Sequence, residues 1–387
     1  MLLFIFCIII MDNIYRYLLQ YDDTWCNTMG IFNPYIDPFE TSFSKKLPMF
    51  DKRAYHLYPK YNFVYDKLWV AQSQDLSCGT IESIQPTSSI NYPIFIKPRW
   101  GHKSASSKNC FKINDYNHLK KYKYLSDMMW STYIEGVENM TDFLVVNGNI
   151  VYDISYNYSQ EQNGYTECYK VISPDLKPPP HIIKWVKHHM VGYSGVVNVQ
   201  YRGEYIIEVG LRLARGGAYV QSTENDHLVH MINQVYDYNT FTQQSRENLT
   251  FTPFYSFKCF TRMPIVYLYP QHVVDFCMKI FGAKPFYEYY FEPNGNDGCV
   301  FFQFLHDNKT VGEWCKGIFT YFFIFSQLFF LSVIGIIIYF FTKAKYKWNK
   351  TIQTILSLTV VMYLTQYLNP VSVHYNLYKA KKQKTWW

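Results

Sequence analysis

Asn198-Val-Gln-Tyr-Arg-Gly-Glu-Tyr-Ile-Ile-Glu-Val-Gly-Leu-Arg-Leu-Ala-Arg215 is the stretch on which the fold turns. Gly195–Tyr201 and Tyr205–Val209 read as two strands, because apolar, β-branched and aromatic residues flank a short polar turn, Arg202-Gly203-Glu204. Folding such a hairpin sets Gln200 and Glu208 side by side, an amide oxygen next to a carboxylate.

Working outward, Tyr92–Lys97 is an apolar strand closed by Pro98, and Asp66–Gln74 suits a helix. Asp115 is placed to cap a helix running to about Met129. Residues 142–154 hold two apolar strands around Asn147-Gly148, a pair that accepts positive φ at both turn positions and so marks a hairpin. A helix from His181 to about Met190 follows the Pro178–Pro180 run. Residues 237–312 read as mixed structure, with a helix at 271–281 and a hairpin around 294–298. Helices and strands alternate from Tyr65 onward, whereas residues 12–64 are aromatic, punctuated by Pro34, Pro38, Pro48 and Pro59, and without long periodicity.

Three of these segments, in this order, resemble the ATP-grasp superfamily. Asp66-Lys67 is similar to the dipeptide that opens its first subdomain, and Tyr92-Pro-Ile-Phe-Ile-Lys97-Pro98 to the strand whose basic residue reaches nucleotide phosphates. The 198–215 hairpin looks like the metal-binding hairpin, closest in motif to the ATP-grasp domain of the carbamoyl phosphate synthetase large subunit. There, an Asn-Val-Gln-Phe strand precedes an Ile-Glu-Val-Asn-Pro-Arg strand. The resemblance implies an α+β fold in which two subdomains clasp ATP. Gln200 and Glu208 would share Mg2+, with Mn2+ as an alternative, since both offer the hard oxygens these ions take. Arg212 and Arg215 would neutralise charge on the transferred phosphoryl group. Lys67 and Lys97 would hold phosphates, with Ser104 in the Gly101–Ser107 loop closing over them. The Ser131–Glu138 stretch would pass the adenine through Ser131, Tyr133 and Ile134, and Glu138 would hold the ribose. One position departs from the pattern: Gly210 stands where the family places an Asn ligand.

Composition agrees with a packed body. Of 387 residues, 49% are hydrophobic and 17% charged, which excludes a disordered chain. Nine cysteines without CxxC or regular spacing speak against a disulfide scaffold and a zinc site, and for a reducing compartment. Part of the net charge of +7 comes from lysines that flank apolar runs near the C-terminus, read as membrane-surface charges and not as nucleic-acid contacts. From Gly317 to Thr342 there is no charge. That run is longer than the roughly 20 residues a helix needs to cross a bilayer.

The expected organisation is therefore a leader (1–64) with a short apolar start, an ATP-grasp domain (65–236) and an α+β extension (237–312). A transmembrane helix (317–342), a second one (352–368) and a basic tail (369–387) follow, and the grasp domain faces the cytosol. The function implied is an ATP- and Mg2+-dependent ligase. It would act through an acyl phosphate on an unknown carboxylate, joined to an amine or thiol acceptor, with the lipid bilayer as a further partner. A catalytically weak or inactive binding or scaffold protein at a membrane, suggested by Gly210 and by the single glycine of the 101–107 loop, is the alternative. A lumenal structural protein is a third.

Overall fold

The computed structural model describes residues 43–321, apart from 49–50, 87, 104–108, 160–161, 164–165, 168, 243–245, 262–275, 277 and 286–298, and adds 325 and 332. The chain divides into two compact units, residues 39–254 and residues 1–38 with 255–387.

In the unit 39–254, helix α1 (Asp51–Leu57) and a 3-10 turn (Pro59–Tyr65) lead into α2 (Lys67–Gln72). Strands β1 (Cys78–Thr80), β2 (Ile94–Pro98) and β3 (Phe111–Ile113), helix α3 (Tyr116–Lys120) and strand β4 (Met128–Thr132) come next. Then follow β5 (Glu138–Val146), β6 (Asn149–Tyr158), a small ladder of β7 (Gln162–Asn163) with β8 (Thr166–Glu167), and β9 (Lys170–Ser173). Helix α4 (Pro180–His189) precedes β10 (Gly195–Arg202) and β11 (Tyr205–Gly210), and α5 (Ala218–Ser222) and α6 (Asp226–Tyr238) complete the unit. The first four strands form an antiparallel sheet in the order β1-β4-β2-β3, and a larger antiparallel sheet runs β11-β10-β5-β6-β9.

Alternation dictates which face of the larger sheet is buried in the main core. Phe143, Val145, Val197, Val199, Val209 and Leu211 share one core cluster with Ile182, Trp185 and Val186 of α4. Those three helix positions recur at the i, i+3, i+4 spacing of an amphipathic helix, and burying Ile182 and Val186 stabilises the unit by roughly 2 kcal/mol each. Ala54, Tyr61, Val64 and Tyr65 lie in the same cluster. Part of the expected leader thus contributes side chains to this core, with Tyr55, Tyr58 and Phe63 packed against it. The smaller sheet has its own core of Ile81, Ile94, Ile96, Ile113, Leu119 and Trp130.

The helix expected from Asp115 to Met129 is shorter. Asp115 does cap α3, accepting the His118 amide at 2.8 Å, but the helix stops at Lys120 and Asp127 turns the chain at φ 57°. Met128 and Met129 then enter β4, which is paired on both sides, so burial within a sheet overrides their helix preference.

The second unit holds β12 (Phe254–Thr261), which begins at the boundary, and β14 (Cys299–His306), which pairs with both β12 and β13 (Lys284–Pro285). Phe257 stacks on Phe304 at 5.1 Å between ring centroids, and Gly312 lets a helical segment, 309–321, press on the Phe257 ring. The helix expected at 271–281 and the hairpin at 294–298 fall largely or wholly outside the described residues.

The expected membrane spans are corrected by one finding: no helix among the described residues is long and apolar enough to cross a membrane. The segment 309–321 carries Lys309, Glu313 and Lys316. Most of 317–342, all of 352–368 and the tail lie outside the described residues. The bilayer partner and the membrane localisation that rested on those spans fall with them.

The β5–β6 turn offers a test of the backbone. Gly148 has φ +83°, and a Cβ there would sit 2.8 Å from the Gly192 amide nitrogen, whereas Gly136, at φ +105°, faces open space. A left-handed conformation costs a non-glycine residue about 1–2 kcal/mol. Gly148→Ala should therefore lower the unfolding free energy by about 2 kcal/mol or more, and Gly136→Ala by less, as measured by urea denaturation.

Candidate functional site

The register of the β10–β11 hairpin places Gln200 opposite Glu208 and Tyr201 opposite Ile206, so Ile207 is an extra residue in β11. A bulge of this type takes a residue out of the ladder. The Ile207 carbonyl accepts the Lys97 ammonium of β2 at 2.7 Å. Next to it, the Lys67 ammonium at the start of α2 stands 3.0 Å from the Glu208 carboxylate.

Lys67 is steered by its neighbour. Asp66 caps α2 by accepting the Leu68 amide at 3.0 Å and binds the Arg99 guanidinium at 2.8 and 2.5 Å. The Lys67 amide donates to the Arg99 carbonyl at 2.9 Å, so the start of α2 is fastened to the chain leaving β2. Two lysines that are 5% and 8% exposed therefore converge on one acid whose side chain keeps 32% exposure.

Electrostatics separates the three groups. Burial first, and then the charge of Lys67, lower the Lys97 ammonium to about 8, against smaller raising effects from Glu208, Cys110 and Glu138. For Glu208, burial favours the neutral acid, but the Lys67 charge, its hydrogen bond, Lys97 and Arg212 outweigh it, and the carboxyl stays below its usual range. Two ammonium groups against one carboxylate leave the site with an excess of positive charge, a setting that attracts an anion.

Arg212 follows Glu208 on the same chain and binds Asp51 of α1. Its Nε and Nη2 donate to Asp51 Oδ2 at 3.1 and 2.8 Å, and Nη1 donates to the Leu213 carbonyl at 3.1 Å. The other Asp51 oxygen, Oδ1, is buried and receives no hydrogen bond of ordinary geometry. It lies 2.7 Å from the point a Cβ on Gly210 would occupy. Arg215 falls in the 3-10 turn Ala214–Gly217, and its side chain, like the whole of Ser104, lies outside the described residues.

Residues 131–138 divide between sheet and loop. Ser131 sits inside β4, opposite Cys78 on one side and Phe95 on the other, so it belongs to a paired strand. The Tyr133 amide donates to the Pro93 carbonyl at 3.3 Å, and its ring lies under the Lys112 ammonium at 4.1 Å. Only beyond Thr132 does the backbone leave the strand. Arg202 links the next two positions, with Nη1 at 3.5 Å from the Ile134 carbonyl and Nη2 at 3.4 Å from Glu138.

Sequence reasoning missed Asp51, Arg202 and Asp142. Asp142 is 2% exposed and accepts Asn198 Nδ2 at 2.7 Å, the Tyr156 hydroxyl at 2.8 Å and the Ala214 amide at 3.0 Å. An acid in the middle of the apolar strand 141–146 was the available signal for it. Asp51, 161 positions from Arg212, offered none. Histidines take no part in a metal cluster: among the described residues no three His, Cys, Asp or Glu gather for one. The amide of Gln200 and the carboxylate of Glu208, opposite each other on one face, are a donor pair of the hard-oxygen kind, and they fit Mg2+ or Mn2+.

Asp142 supplies a pH signature. Burial raises its carboxyl to about 6, against the lowering effects of its three donors and Arg212. Folded Asp142 keeps its proton over a range where the unfolded residue has lost it, so stability falls as pH rises from about 4 to 6. The unfolding free energy of the native chain, relative to Asp142→Asn, should drop by up to about 3 kcal/mol across that window. Denaturant titrations at several pH values would measure it.

No protein-family model matches the chain, and no curated protein does. Solved structures do. The chain is similar to carboxyaminoimidazole ribonucleotide synthase from Aspergillus clavatus complexed with ATP, at 10% identity and TM-score 0.47, over 65% of this chain and 70% of that one. It is similar to a biotin carboxylase from Campylobacter jejuni at 13% identity and TM-score 0.42, over 66% and 68%. An L-amino acid ligase from Bacillus licheniformis matches at 14% identity and TM-score 0.36, over 51% of this chain and 55% of its own length, so the chain spans little more than half of that enzyme. These solved structures are ATP-grasp enzymes, the superfamily that the hairpin motif resembles. The chain itself carries an α+β fold of two antiparallel sheets, in which lysines from the smaller sheet and from α2 meet the β10–β11 hairpin of the larger one.

Proposed function

We propose that residues 39–254 bind ATP with Mg2+ and activate a carboxylate for ligation. The observation that carries this reading is the convergence of Lys67 and Lys97 on Glu208, with Gln200 opposite it. An ammonium has three protons. Lys97 gives one to Ile207 and keeps donors for phosphate oxygens, while Lys67 brings a second positive charge beside Glu208. Gln200 and Glu208 hold the metal ion, which when bound supplies charge neutralisation at the phosphates. Backbone beyond Thr132 is the chain available to the adenine edge, and Glu138, fixed by Arg202, stands where a ribose hydroxyl would be met.

A substrate carboxylate oxygen would attack the γ-phosphorus while the bond to the β–γ bridging oxygen breaks and ADP leaves with the electron pair. The acceptor, an amine or a thiol, then adds to the acyl carbon. The carbon–oxygen bond breaks, and phosphate departs, taking up the acceptor's proton. No enzyme nucleophile is needed, so binding and charge are the main tasks left to the protein. Arg212 is aligned for this by Asp51. Gly210 and its missing oxygen favour a second reading, a nucleotide-binding module without turnover. ATP binding without phosphate release, over a panel of acids and amines, would support it.

The full-length chain should melt at a higher temperature with ATP–Mg2+ than without, and Glu208→Ala should remove most of that rise. No shift with the native chain, or an unchanged shift in the variant, would refute the reading. Because the Lys97 ammonium loses its proton at about pH 8, ATP affinity should fall as pH rises past that value. Lys97→Gln should bind ATP roughly tenfold or more weakly at pH 7 and lack this slope, by isothermal titration.

A further inference from the structure

Asp51 of α1 holds a carboxylate oxygen with no partner of ordinary geometry at a place where the hairpin has no side chain. Gly210 follows Glu208 by two residues, so the Cα–Cβ directions of both positions leave the same face of β11. Glu208 in turn stands opposite Gln200 on that face. A Cβ on Gly210 would lie 2.7 Å from Asp51 Oδ1, which puts this oxygen on the face that carries the amide and the acid. Positions two apart on a strand are separated by about 7 Å.

The orientation of Asp51 is enforced. Arg212 takes Oδ2 through two nitrogens, which turns Oδ1 the other way. Tyr65, raised first by burial, next by the Asp51 charge and in smaller part by a hydrogen bond with Asp51, remains a neutral hydroxyl and accepts the Leu211 amide at 3.0 Å. Oδ1 is buried and, beyond this contact with the Tyr65 hydroxyl, has no hydrogen bond of ordinary geometry. Leaving such an atom unsatisfied is costly, and a cation relieves the cost.

We propose that Asp51 is a ligand of the divalent cation, replacing from α1 the side chain that Gly210 lacks; this rests on the nucleotide–metal reading above. The set is two carboxylates and one amide, Asp51, Glu208 and Gln200. Its hard oxygens suit Mg2+ or Mn2+, and its composition explains why no cluster of three His, Cys, Asp or Glu marks the site among the described residues. Gly210 is then a requirement, since any Cβ there would push Oδ1 away.

Mn2+ binding to the full-length chain, followed by electron paramagnetic resonance with saturating ADP, tests this without turnover. Asp51→Asn keeps the size of the side chain and removes its charge. It should weaken Mn2+ roughly tenfold or more, and by more than it weakens metal-free ADP, whose binding also registers the loosened Arg212. Gly210→Ala keeps Asp51 but crowds Oδ1, and should weaken Mn2+ as well; it serves as the readout if the Asp51 variant does not fold. Asp51→Ala combined with Gly210→Asn should regain part of the affinity. Mn2+ affinity unchanged in both Asp51→Asn and Gly210→Ala, with Glu208→Gln still weakening it, overturns the role of Asp51 and leaves the nucleotide reading standing. Failure of the native chain to bind ADP with Mn2+ overturns that reading, and this one with it.

Discussion

The ion pair between Lys67 and Glu208, together with the bond from Lys97 to Ile207, is the constraint on which the rest of the site depends. The two lysines are buried, and taking an ammonium out of water costs several kcal/mol. Their pairing with Glu208 and Ile207 offsets that cost and in doing so fixes the two sheets of the 39–254 unit against each other at one point. The bulge at Ile207 makes this geometry available. β11 is also the edge strand of the larger sheet, with β10 as its ladder partner.

A buried cluster with two positive charges and one negative is not an arrangement that stability alone favours. An apolar contact of similar size would hold the sheets at less electrostatic cost. The excess positive charge has a physical rationale if an anion completes the cluster; burial first, and then the Lys67 charge, depress the Lys97 ammonium. The fastening of Lys67 through Asp66 and Arg99 points the same way, since it orders a lysine before any ligand arrives.

Much of this was legible in the sequence wherever contacts are local. The 195–210 hairpin follows from alternation and a glycine turn, the pairing of Gln200 with Glu208 follows from the hairpin, and Lys97 follows from a short apolar strand. What was illegible is non-local. Nothing near Asp51 announces Arg212, and the strand character of Met128 and Met129 depends on β1 and β2 closing over them from both sides. The apolar C-terminal runs misled for a related reason. Hydropathy reports that a segment avoids water, and the long apolar helix it implied is absent among the described residues. The burial of Ala54, Tyr61 and Val64 was likewise illegible, since it comes without periodicity from packing in a core shared with distant strands.

Two acids near each other on one sheet show how position sets chemistry. Asp142 and Glu208 belong to β5 and β11, with β10 between them, and Asn198 stands opposite both Asp142 and Gly210. Asp142 is ringed by a hydroxyl, an amide side chain and a backbone amide, and burial raises its carboxyl to about 6. Glu208 is ringed by ammonium groups and a guanidinium and stays charged well into the acid range. Environments that push two like groups apart in pKa assign them different work. By accepting the Ala214 amide, Asp142 holds the chain just past β11 and so places Arg212, while Glu208 keeps the charge that a metal-bound polyphosphate would use. The better-buried acid is the structural one because its acceptors are taken by a hydroxyl, a side-chain amide and a backbone amide of the chain itself.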